Sequence, residues 1–189
     1  MIYFLLVSLL VVNCIWVSFF LWRTLRIDYV ESKVLIFSFM WMVAVLVAGR
    51  LGYLAGIPIW SGLLAGGVVS VLFSRRFRWD LAEVWDLTIL SSWGFGVWLF
   101  VLLHDWLYVV LCIVLMLVLF VLKQTYRKWR WYKSGKNGLV GCMGVIFWSL
   151  LIIWHDFWQM NVNIWIGAVL IGISVVAILL RSKVLLPKS

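Results

Sequence analysis

Gly49–Asp86 reads GRLGYLAGIPIWSGLLAGGVVSVLFSRRFRWDLAEVWD. An arginine interrupts an apolar run, a glycine-rich hairpin follows, three arginines close a loop, and two acids open the next apolar run. On either side the chain is a plainer string of hydrophobic segments. Across all 189 residues, 66% are hydrophobic and only 12% charged, half the roughly 25% of a soluble domain. Mean hydropathy is +1.13. A soluble domain of this size cannot hide so much apolar surface, so the composition predicts an integral membrane protein.

A membrane helix needs roughly 20 apolar residues. Working outward from the quoted stretch, the sequence predicts an all-α fold of seven such helices. They run over Ile2–Trp22, Val34–Leu54, Trp60–Phe73, Ala82–Leu103, Trp106–Leu122, Leu139–Trp154 and Ile164–Leu180. Pro58 marks a tight turn because proline lacks a backbone N–H. The third run is short enough for a re-entrant helix. The first lacks a basic leader and a small-residue cleavage site, and reads as a retained helix. No linker or low-complexity tract divides the chain, which predicts one membrane domain.

The basic residues fix a direction. Arg23, Arg26 and Lys33 follow the first run; Arg75, Arg76 and Arg78 follow the third. Lys123, Arg127, Lys128, Arg130, Lys133 and Lys136 follow the fifth, and Arg181, Lys183 and Lys188 follow the seventh. The intervening turns carry none. Positive loops stay cytoplasmic, which predicts an external N-terminus, a cytoplasmic C-terminus and an odd number of spans. The net charge of +9 is therefore read as topology and not as a nucleic-acid surface. Many of the 15 tryptophans lie near the ends of apolar runs, where an indole meets the membrane interface.

Only a few residues carry candidate chemistry. Arg50 is the sole basic residue inside a predicted helix. It lies about 25 Å along the helix from Lys33, near the outer boundary. A guanidinium there suits an anionic headgroup or a buried carboxylate, or snorkels to the interface as an anchor. Gly49, Gly52, Gly56, Gly62, Gly66 and Gly67 let helices approach closely; Gly66 and Gly67 alternatively leave room for a lipid headgroup. Glu83 and Asp86 are expected to favour the start of their helix and to pair with Arg75, Arg76 or Arg78. His104-Asp105 and His155-Asp156 both fall in outer turns, and a His–Asp pair is a proton-transfer unit. Cys14, Cys112 and Cys142 read as small buried hydrophobes. There is no metal-ligand spacing, phosphate-binding loop or dinucleotide motif, so neither metal nor cofactor is predicted.

VLVAGRLGYL followed by WSGLLAGGVVSVLFSRRFRWDLAEVWD resembles the bacterial prolipoprotein diacylglyceryl transferases. Tyr3 resembles the tyrosine that heads that family's first helix, and YKSGKNGLVGCMGVIFW resembles its late glycine-containing segment. The resemblance implies seven helices with the N-terminus outside, in the bacterial inner membrane. It implies transfer of diacylglyceryl from phosphatidylglycerol to a lipobox cysteine of a prolipoprotein signal peptide. By the same likeness Arg50, with Gly66 and Gly67, would bind the lipid, and Tyr3 or His155-Asp156 would supply the base. The chain departs from the pattern at Ala65, where the family has a histidine, and at SSWGFGVWLF, where a charged and amide-bearing motif is absent. It departs again at LLIIWHDFW, where the family's late arginine is missing. The alternative is a catalytically inactive relative that binds lipid or a partner helix.

Overall fold

A computed structural model describes residues 2–54, 57–102, 104–126, 137–156 and 162–182. They form seven α-helices: α1 (Ile2–Leu25), α2 (Glu31–Leu54), α3 (Pro58–Phe77), α4 (Leu81–Leu102), α5 (Trp106–Thr125), α6 (Leu139–Asp156) and α7 (Val162–Arg181). Four contain windows long and apolar enough to cross a membrane: Glu31–Gly52, Trp106–Thr125, Leu139–Asp156 and Ile164–Arg181.

The distribution of apolar side chains identifies the solvent. Val12, Ile15, Trp16, Leu51, Leu72, Val121, Ile173 and Leu180 are all exposed on helix surfaces. Apolar side chains cover the outside as well as the inside, and the helices satisfy their own backbone polar groups. The protein is membrane-embedded. Trp106, Trp154 and Trp165, at the ends of α5, α6 and α7 away from the basic loops, are 64%, 72% and 75% exposed. They form a partial aromatic belt.

α4 is the central stave, packing against α1, α3, α5 and α6. From Asp86 to Trp93 every residue is buried, as expected of a helix surrounded on all sides. One apolar cluster lies between α4, α5 and α6, around Trp93, Phe100, Cys112, Leu119 and Trp148. Trp93 and Trp148 stack at 4.4 Å, and the Trp148 indole N–H donates to Ser92 Oγ at 3.1 Å. Gly96 makes the stack possible, because a Cβ there would collide with the Trp148 ring.

The second cluster joins α1, α2, α3 and α4 through Val17, Leu21, Phe37, Trp41, Trp79 and Leu87. It explains how α3 ends. Arg78 takes the left-handed conformation, φ 57°, which costs a non-glycine residue about 1–2 kcal/mol. The turn lets Trp79 fold back onto Tyr29, Phe37, Phe73 and Phe77, with ring centroids 4.7–6.2 Å away. Its N–H returns to the Ser74 carbonyl at 3.0 Å.

α3 corrects one expectation. It spans 20 residues, not the apolar core of Trp60–Phe73 alone. Pro58 occupies its first turn, where a missing N–H costs nothing, and the helix continues through Arg75 and Arg76. The helix thus extends beyond its apolar core at both ends.

Candidate functional site

Two polar assemblies stand at opposite ends of the bundle. At the end away from the basic loops, α6 finishes on His155-Asp156. Neighbours in a helix interior point about 100° apart, but here the helix is ending. His155 Nδ1 lies 2.6 Å from Asp156 Oδ1. His155 Nε2 lies 4.0 Å from Asp105 Oδ2, at the start of α5. The ring stands edge-on to Tyr108 at 5.1 Å and tilted to Phe100 at 5.9 Å. Asp156 is buried, whereas about a third of the His155 side chain remains accessible. A proton on Nδ1 facing Asp156 would leave Nε2, beside Asp105, able to take up a second proton.

The two His–Asp pairs thus contribute unequally. His104 adopts φ 57° in a reverse turn in which its N–H and that of Asp105 return to the carbonyls of Val101 and Phe100 at 3.1 and 3.0 Å. Asp105 then faces the histidine of the other pair. The repeated dipeptide signalled this convergence, but not which residue of each pair would take part.

At the basic end the expected role of Asp86 is corrected. It is 4% exposed, lies beyond the first turn of α4, and serves another helix. Its two carboxylate oxygens accept the N–H groups of Gly138 at 2.7 Å and Gly141 at 2.6 Å. These are among the first N–H groups of α6, which have no partner within their own helix. A carboxylate there also meets the positive end of the helix dipole. Gly138 sits at φ 114°, a conformation open only to glycine at low cost. The Arg181 guanidinium at the end of α7 donates to the Asn137 carbonyl beside it. Asp86 thereby joins α4 to α6, and Arg181 adds α7. Glu83 also finds a different partner, accepting the Tyr29 hydroxyl at 2.9 Å, while Tyr29 Oη accepts the Asp80 N–H at 3.1 Å.

Arg50 lies exposed on α2, a helix that packs on α1 and α3, whereas His155 and Asp156 belong to α6. Gly66 and Gly67 face indoles: a Cβ on Gly66 would lie 2.8 Å from Trp41 Nε1, and one on Gly67 3.1 Å from Trp85. The space beside them holds α2 and α4 side chains, so close packing accounts for the pair. Tyr3 falls within α1, but its side chain lies outside the described residues.

No protein-family model matches the chain, and neither a characterised protein nor a solved structure is significantly similar to it.

Proposed function

We propose that this chain is a divergent relative of the prolipoprotein diacylglyceryl transferases, crossing a bacterial inner membrane seven times with its N-terminus outside. The loop-by-loop alternation of basic residues supports that orientation. The reading rests on the resemblance of Gly49–Asp86 to that family, and the Asp86 clamp supports it only by joining that stretch to the second one that shares the likeness. The two stretches that resemble the family, Gly49–Asp86 and the segment around Gly138, are far apart in sequence, yet they are hydrogen-bonded to each other.

In the proposed reaction Arg50 attracts the phosphate of phosphatidylglycerol at the outer leaflet. His155, oriented by Asp156, takes the proton of the lipobox thiol. The thiolate then forms a carbon–sulfur bond to the diacylglyceryl group. The carbon–oxygen bond breaks, and glycerol phosphate leaves with the bonding electrons. The test is incubation of the purified chain in phosphatidylglycerol vesicles with a lipobox peptide, beside a full-length family enzyme. Diacylglyceryl-modified peptide is expected by mass spectrometry. Unmodified peptide, where the control enzyme works, refutes the activity.

A non-catalytic relative is the second reading. Trp41 and Trp85 fill the glycine hairpin where a headgroup would sit, and Ala65 replaces the family histidine. On this reading Arg50→Ala reduces co-purified anionic lipid by about tenfold while no lipid transfer is ever seen. Unchanged lipid retention leaves Arg50 as an anchor only.

A further inference from the structure

α3 presents a single outward stripe. Between Trp60 and Phe77 its exposed residues are Leu64, Val68, Leu72, Arg75 and Arg76. Leu64, Val68, Leu72 and Arg76 recur at intervals of four, which puts them on one face, while the helix packs on α2 and α4. From Leu64 to Arg76 the stripe rises about 18 Å at 1.5 Å per residue. One leaflet contributes about 15 Å of hydrocarbon. Apolar side chains thus line a path as long as one leaflet, and the path ends on two guanidiniums.

More positive charge gathers at that end. The Lys33 ammonium of α2 lies 4.7 Å over the Phe77 ring, and Arg78 is exposed in the left-handed turn that closes α3. Among the described residues, the Arg75, Arg76 and Arg78 side chains meet no carboxylate, carbonyl or ring. The acids that follow them in the chain are engaged elsewhere. Asp80 accepts the Ala82 N–H and the Asn137 amide, each at 3.0 Å, and Glu83 accepts the Tyr29 hydroxyl. Asp28 and Glu31, between α1 and α2, are exposed and make no ion pair with the three arginines.

We infer that α3 holds one anionic phospholipid of the leaflet at the basic end, with an acyl chain along Leu64, Val68 and Leu72 and its phosphodiester on Arg75 and Arg76. A guanidinium fork matches two phosphate oxygens at once. A net negative headgroup follows from the charges: a zwitterionic lipid would add an ammonium to a group of four cations. Arg50 lies towards the opposite end of α2, so this site does not rest on the transferase reading.

The full chain is reconstituted in phosphatidylcholine nanodiscs with a rising fraction of phosphatidylglycerol, in an Arg50→Ala background so that lipid held at the opposite end does not contribute. Lipid retained after detergent extraction is counted by native mass spectrometry. Phosphatidylglycerol should be retained over phosphatidylcholine. Arg75→Gln/Arg76→Gln should weaken its apparent affinity by about thirtyfold, from about 1 kcal/mol per cation near a membrane surface. Arg75→Lys/Arg76→Lys keeps the charge and should restore most of the affinity, which separates lost charge from misfolding. Arg23→Gln/Arg26→Gln removes the same charge from the end of α1, where Arg26 already lies over Trp22, and should change the affinity by less than about twofold. Excess soluble glycerol phosphate should not displace the lipid, whose chain lies on the stripe. Equal retention of the two lipids overturns the site, as does an unchanged affinity in Arg75→Gln/Arg76→Gln. Equal losses in the two glutamine variants overturn it in favour of a general basic surface, and displacement by glycerol phosphate overturns the lipid as its ligand.

Discussion

Replacing Asp86 with alanine removes the acceptor of two N–H groups at once, those of Gly138 and Gly141, at 2.7 and 2.6 Å. Both glycines are buried, which makes an unanswered N–H on either one costly. An orphaned buried donor costs about 1–3 kcal/mol, and two cost about 2–6 kcal/mol. Removing the buried charge returns part of its desolvation penalty, which places the expected loss near the middle of that range. Against a total stability of roughly 5–15 kcal/mol, this is a large fraction. Asp86→Asn keeps one acceptor oxygen and should lose about half as much, roughly 1–3 kcal/mol. The assay is equilibrium unfolding in mixed micelles with rising denaturing detergent, followed by tryptophan fluorescence. A loss below about 1 kcal/mol in Asp86→Ala would refute the clamp. Equal losses in the two variants would show that the oxygens are not shared between two donors.

The remaining expectations use the same assay or the transfer reaction. Gly96→Ala should cost about 1–3 kcal/mol, because its new methyl meets Trp148 in a packed core. Gly172→Ala, with nothing within 4 Å of its would-be Cβ, should gain about 0.5–1 kcal/mol; a reversed order would contradict the packing. His155→Ala should slow diacylglyceryl transfer by about 10²–10⁴-fold, and Asp156→Asn by less; an unchanged rate removes His155 from the chemistry. Burial pushes the Tyr29 phenol up to about 12, with Glu83 and Asp80 also acting on it. The folded chain therefore keeps a proton that an unfolded tyrosine loses near pH 10. Tyr29's contribution to stability is fully present below about pH 10 and is lost as pH rises towards about 12. Tyr29→Phe should flatten that part of the pH–stability curve, and an unaltered slope assigns it to other groups.

The helices were legible because each is apolar for most of its length, the pattern that lipid imposes on a spanning helix. Most breaks are polar or basic, and the one between α2 and α3 is marked by Gly56 and Pro58. The predicted ends fell short where polar residues continue a helix, as with Arg75 and Arg76 in α3 or Lys123 in α5. Apolar composition marks the hydrocarbon, whereas hydrogen bonding marks the helix, and the two stop at different residues. The role of Asp86 was not legible. Its partners lie 52 and 55 positions away, and a backbone N–H leaves no signature in sequence. The available signs were an acid set one turn too deep for a helix start and the two glycines of NGLVG. The meeting of Asp105 with His155 was half legible, because both dipeptides lie in turns without basic residues, which the charge pattern assigns to one end of the bundle. Which of the four side chains would touch depended on the left-handed turn at His104, which its sequence does not announce.

The clamp also sets an order for building the molecule. Asp86 leaves the ribosome 52 residues ahead of the first N–H it will bind. At about 5–20 residues per second, that is a wait of roughly 3–10 s. During that time a helix carrying an unsatisfied carboxylate is already available to the insertion machinery. Until α6 follows, Asp86 lacks the two N–H groups it accepts in the finished bundle. The contact that ties the central helix to α6 can form only once the sixth helix has been made.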